Sequence, residues 1–261
     1  MNCTQSQIHF FIILSIVFSC KLIAATNTPI YQIKVVTEYL DPYQIKNGDG
    51  SLGGFSTDVI KALFKQANSN ADFQVMSWAR AYKTATTEKN VMIYSIAQTK
   101  ERRSLFHWVG HLTRERLYFW GLQNQFPPPT PIIALLKGYR IATSKDSNVA
   151  QYLEANNFFH LYYITNEQQA MQMLYRNRID LMIDTELNMQ SRAKRLSLDT
   201  SKIRKITEVL ELNNNLSIAF SKKSDPAMVQ HFQQAYQAIE QQGIIKRLKI
   251  KWGIIPAPVA E

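Results

Sequence analysis

The chain has 261 residues, 46% hydrophobic and 19% charged, which suits one large domain or two lobes with a real core and excludes a disordered segment. Its formal charge is +10, but the Lys and Arg residues are spread along the chain with no nucleic-acid-binding motif among them, so no nucleic-acid partner is expected. Both cysteines, Cys3 and Cys20, lie near the start, so the rest of the chain has no disulfide, thiol nucleophile or cysteine metal site.

Residues 10–18, FFIILSIVF, form an apolar core too short for an ordinary transmembrane helix. With the LIAAT stretch after it, this predicts a signal peptide over residues 1–25 and a periplasmic location. A lipoprotein signal anchored at Cys20 is the alternative, disfavoured by bulky Phe18. No later run is long and apolar enough to span a bilayer.

Residues 30–37, IYQIKVVT, read as a first strand, ended by a loop at Pro42 and the turn NGDG at 47–50. Residues 56–67 carry Val59, Ile60, Leu63 and Phe64 at helical spacing, with Ser56 or Thr57 as cap. A strand over 72–76 and a helix over 78–88 follow. Residues 91–97 are a buried strand running into a polar turn and the segment Glu101 to Ser104. Arg102 and Arg103 offer planar forks that match a carboxylate, and Ser95 and Thr99 place hydroxyls at the strand end, where ligands sit in open α/β sheets. Trp78 and Arg80 begin the helix after a strand, where an aromatic beside a cation can hold a planar or anionic ligand; a core Trp and a solvated Arg is the plainer reading.

Residues 116–122 are a further strand, followed by the proline-rich break FPPPTP at 126–131. Then come strands over 139–143, 162–164, 178–183 and 206–209, with helices over 148–156, capped by Ser147, and 166–176, capped by Thr165. After a polar break at 213–215, a strand over 216–220 leads to a long helix entered through Asp225 and Pro226 and closed at Gly243. A last short helix follows, over 244–252. The alternation predicts an α/β fold of two lobes, each a mostly parallel sheet flanked by helices, with two crossovers between them. Residues 26–123 and 214–261 are assigned to a discontinuous first lobe and 124–213 to the second, with the ligand in the cleft between.

The segments TEYLDPYQ (37–44), GGFSTDVIKALF (53–64), SIAQTKERRSLFHWVG (95–110), NRIDLMIDT (177–185) and SDPAMVQHFQQAYQAIEQQGIIKRLKIKW (224–252), in this order, resemble the family-3 bacterial extracellular solute-binding proteins, whose best-known members bind polar amino acids for import. The resemblance implies a clamp that closes by hinge motion on its ligand. It implies that Arg102 binds a ligand carboxylate beside Ser95 and Thr99, that the helix N-terminus at Ser147 meets the same group, and that Tyr43 lies near the ligand. An acidic residue after the second-lobe strand is implied for a ligand amine; the strict position falls on Thr185, next to Asp184. Glu38 faces either the cleft or the surface and is assigned no role. The expected function is capture of a small carboxylate-bearing solute by a monomer that hands it to an ABC-type importer or a membrane sensor. No cofactor, metal or catalytic residue is expected; a dehydratase-like enzyme on the same fold is the competing class, and it would need a positioned acid–base pair.

Overall fold

A computed structural model describes residues 30–212 and 215–255; the expected signal peptide and the end of the chain lie outside the described residues. The first lobe opens with β1 (Gln32–Thr37), whose inward side chains Ile33, Val35 and Val36 are buried. A two-strand hairpin, β2 (Ile45–Lys46) and β3 (Leu52–Gly53), precedes α1 (Phe55–Gln66). Neither Ser56 nor Thr57 caps α1, as the sequence suggested. The backbone carbonyls of Pro42 and Tyr43 accept the first helical N–H groups, from Phe55 and Ser56 at 3.1 and 3.0 Å, which frees both hydroxyl residues to be buried. Gly54 makes this possible: its φ is +104°, and a Cβ there would lie 2.4 Å from the Tyr43 carbonyl oxygen.

β4 (Asn70–Val75), α2 (Trp78–Thr87) and β5 (Val91–Ala97) complete a βαβαβ unit, and β6 (Phe106–Arg114) closes the sheet edge. The chain then crosses to β7 (Tyr118–Leu122), which pairs with two strands of the second sheet. A lobe boundary after residue 123 would have left this strand in the first lobe; its hydrogen bonds put the crossing at residues 115–117 instead. The second lobe runs through β8 (Ile141–Ser144), α3 (Asn148–Ala155), β9 (Leu161–Ile164), α4 (Glu167–Tyr175), β10 (Leu181–Asp184), α5 (Glu186–Arg195) and β11 (Ile203–Glu208). α4 is capped by Asn166, whose side chain accepts from Gln168 N at 2.8 Å, one residue later than expected. β12 (Asn215–Ser221) returns to the first sheet, and α6 (Pro226–Gln241) and α7 (Ile244–Lys251) pack on it.

The strand orders are β4-β1-β5-β12-β6 and β11-β7-β10-β8-β9. Four strands of each sheet run one way; only β12 in the first and β7 in the second run against them. Both exceptions are the strand that directly follows a crossing, so each crossing inserts one reversed strand into its new sheet. The sheets therefore share one topology, and the C-terminal ends of β1, β5, β8 and β10 meet at the cleft, at the switch points where open α/β sheets bind ligands.

Candidate functional site

The cleft has a cavity volume of about 90 Å³. A single water needs about 10–15 Å³, so the space suits a small solute and not a peptide. The first lobe contributes Glu38 and Leu40 after β1, Trp78, Ser95 and Ala97 on β5, and Arg102; the crossing contributes Glu115 and Leu117. From the second lobe come Thr143, Ser144, Ser147, Glu167, Asp184 and Asn188.

Arg102 is 1% exposed, yet its Nε and Nη1 have no hydrogen-bond partner. Its guanidinium lies over the rings of Trp78 at 5.3 Å and Tyr82 at 4.9 Å, a cation–π contact with each. Burial pulls its pKa below the ordinary arginine value, against the pull of Tyr82, Glu101 and Asp146. The remaining donor, Nη2, reaches across the lobes to the Asp146 backbone carbonyl at 3.0 Å, and the Trp78 indole N–H donates to that same oxygen at 3.0 Å. Asp146 has φ +61°, the turn that swings this carbonyl toward the first lobe. On another side of the interface Arg195 of α5 pairs with buried Asp41 at 2.8 Å.

Ser95 interrupts the β5–β12 ladder with φ +54° and a register shift opposite it, a bulge that turns its side chain into the cleft, where the hydroxyl donates to Ser56 at 2.9 Å. Ser147 caps α3 by accepting from Ala150 N at 2.9 Å, so the helix N-terminus faces the cavity. Asp184 also faces the cavity, but its carboxylate is engaged. Arg192 Nη1 donates to one oxygen at 2.6 Å, and Asn188 Nδ2 and the Thr185 N–H donate to the other at 2.7 and 2.8 Å. Burial works against the Arg192 charge, but Asp184 and Glu167 outweigh it and hold the guanidinium above its ordinary value.

The structure thus brings Arg102, Ser95, Trp78, Ser147 and Asp184 to one cavity. Four expected residues lie outside its lining. Thr185 is buried as the N-cap of α5, accepting from Asn188 N at 3.0 Å. Tyr43 packs edge-on to Phe55 in the first core, with Glu115 as a neighbour. Thr99 lines a separate groove beside α3 because the chain turns away after Ala97, and exposed Arg80 lies in an outer groove with Lys83 and Lys145.

Three more carboxyl groups line the cavity: Glu115 and Glu167, which sequence reasoning passed over, and Glu38, which it left between cleft and surface. Buried Glu115 sits on the crossing itself, and its Oε1 has no partner. Burial first, then Asp184, pushes its pKa up to about 8 against the pull of neighbouring Tyr43. Half-buried Glu38 is also pushed up to about 8, by burial and then by Glu167 across the cleft. Glu167 is raised too, chiefly by burial, while accepting from Ser144 at 2.8 Å. The one available signal was position: Glu38 follows a strand end and Glu167 opens a helix after one.

The family model for bacterial extracellular solute-binding proteins, family 3, matches residues 33–115, the segment that carries β1, Arg102 and the crossing residue Glu115. No curated protein matches the sequence. Among solved structures, a histidine kinase sensor domain with similarity to periplasmic binding proteins aligns at TM-score 0.77 and 14% identity, over 88% of this chain and 99% of that one. An ancestral arginine-binding protein bound to arginine aligns at TM-score 0.74 and 17% identity, over 85% and 97% of the two chains. A putative L-cystine ABC transporter protein from Listeria monocytogenes aligns at TM-score 0.73 and 21% identity, over 85% and 96%. These likenesses establish the two-lobed periplasmic-binding-protein fold.

Proposed function

We propose that this chain is an exported solute-binding protein that closes its two lobes on a small carboxylate-bearing ligand, an amino acid or a similar compound. The observation that carries this reading is Arg102: a fully buried guanidinium with two unpartnered donors, lining a solute-sized cavity. A buried donor without a partner costs about 1–3 kcal/mol, more when charged, and a bidentate carboxylate removes that cost. The N-terminus of α3 supplies free N–H groups and positive end charge on the facing lobe.

The downstream partner is either an ABC-type importer or a membrane sensor. The likeness to a kinase sensor domain supports the second as much as the amino-acid-binding structures support the first. Calorimetric titration of the chain lacking residues 1–25 against amino acids and small carboxylates tests the reading. Arg102→Ala should weaken binding at least about a hundredfold, the scale of leaving a buried charged partner unpaired. Equal affinity in wild type and Arg102→Ala would falsify the assignment.

A further inference from the structure

A second concavity opens on the outer face of the lobe junction. It is a groove of about 560 Å³, within the size range of small-molecule sites, and Ser77, Arg80, Tyr82, Lys83, Lys145 and Asp146 stand on its walls. It shares no lining residue with the cleft. Trp78 lines the cleft, its stacked neighbour Tyr82 lines the groove, and both rings lie under the Arg102 guanidinium, so this layer separates the two spaces.

The groove carries an excess of positive charge. Arg80 and Lys83 are three residues apart on α2, which makes them neighbours on one helix surface, where like charges repel. Lys145 comes from the loop directly after β8, in the other lobe. All three side chains are exposed, and none makes a hydrogen bond or ion pair among the described residues. Asp146 is the one acid among the described lining residues, so three cations face a single carboxylate. Exposed charges are screened beyond about 8 Å at physiological ionic strength, but a groove walled by protein on two sides concentrates the field of several cations.

We infer that this groove is a second site, outside the cleft, for a multivalent oxyanion, a phosphorylated or polycarboxylate compound, and that its occupation holds the two lobes shut. Shutting brings Lys145 to a pair of cations that already repel, so the empty groove opposes closure. An anion that bridges α2 and the loop after β8 reverses that sign. The same loop carries the Asp146 carbonyl that accepts from Arg102 and Trp78, so the anion acts where the lobes meet. By linkage, it raises affinity for a cleft ligand by the same factor by which that ligand raises its own.

The test is thermal melting of the purified protein in chloride, acetate, citrate and pyrophosphate at millimolar concentration and matched ionic strength. Citrate or pyrophosphate should raise the melting temperature saturably, as a ligand of the folded state must, while acetate behaves as chloride. The two arms separate carboxylate from phosphate recognition. Arg80→Glu and Lys145→Glu, one on each lobe, should each raise the half-saturating concentration about tenfold or more, the scale of one lost charged contact. Lys202→Glu, the same charge change at an exposed lysine off the groove, should leave it unaltered. Arg102→Ala should leave the response in place as well. No saturable shift with either multivalent anion overturns the site. A shift that Lys145→Glu leaves intact overturns the two-lobe grip, and one that Lys202→Glu also removes reduces the effect to net charge and overturns the site. A shift lost in Arg102→Ala assigns the anion to the cleft, which overturns the outer site and keeps the solute-binding reading.

Discussion

Glu115 couples the crossing to the cleft, and its environment fixes the sign of a pH effect. Its carboxyl is pushed up to about 8, so between the ordinary carboxylate range and that value the empty folded chain holds a proton that the unfolded chain has released. The contribution of this group to the stability of the ligand-free protein is therefore full below about pH 5 and is lost as pH rises to about 8. Glu38 adds to the same slope, and Asp180, held low by Arg140, opposes it only at more acid pH. Thermal melts across this window should show the decline, and Glu115→Gln should remove much of it; a flat profile in the wild type contradicts the assignment. Asp184 behaves differently. Its pair with Arg192 is buried on both sides, and Arg192→Leu would strand a carboxylate beside Glu115 and Glu167, at a cost of about 3–5 kcal/mol in chemical denaturation.

At the level of elements, close contacts explain which positions tolerate no change. Gly110 on β6 lies under the Tyr236 ring of α6, where a Cβ would come within 2.3 Å, and the Tyr236 hydroxyl bonds the His111 carbonyl at 2.6 Å. Gly110→Ala should push α6 off the sheet and lower stability by about 1–3 kcal/mol, measured by urea unfolding. Asp225 caps α6 through Ala227 N at 2.8 Å, and Asp225→Ala should cost about 1 kcal/mol. Much of this architecture was legible in the sequence. Helical spacing marked α1, Asp225 and Pro226 marked the start of α6, and Ser147 marked that of α3, because local signals and tertiary packing agree there. α5 and the length of β6 were not legible. α5 is amphipathic but strongly polar, and β6 buries every third residue, Phe106, Val109 and Leu112, rather than every second, with two histidines between them. β7 was read as a strand, but the proline run at 126–131 misled its lobe assignment, since partner choice depends on hydrogen bonds that no local pattern encodes. In the site, Arg102 and the cap at Ser147 were readable from type and position. Glu115 was not, because a glutamate between two arginines, Arg114 and Arg116, looks like solvated surface until the crossing folds it inward.

For the whole molecule, the lobes are held closed by two separate latches. One is the Asp146 carbonyl with Trp78 and Arg102; the other is Arg195 with Asp41, reinforced by an Arg195 bond to the Lys46 carbonyl at 3.3 Å. Leu187 of α5 also packs on the first-lobe core. Arg195→Ala breaks the second latch without touching the cavity lining, and it leaves Asp41 unpaired. It should move the open–closed balance toward open by about tenfold, equivalent to about 1.4 kcal/mol. Small-angle scattering should then show a larger radius of gyration without ligand and recovery of the compact form at saturating ligand. An unchanged radius in both states would show that this latch does not set the balance.

The shared topology places matching strand ends face to face, but the guanidinium of Arg102 is what makes the two halves answer to one event. One of its nitrogens donates to the opposite lobe and two are without a partner, and all three lie within a single rigid plane. Orientation suited to one partner is therefore orientation suited to the other. Under the proposed function, the residue would act as a coincidence detector, fully satisfied only when the clamp is shut and loaded together. A downstream receptor that recognises the shut form would thereby respond to occupancy and ignore the empty protein in transit.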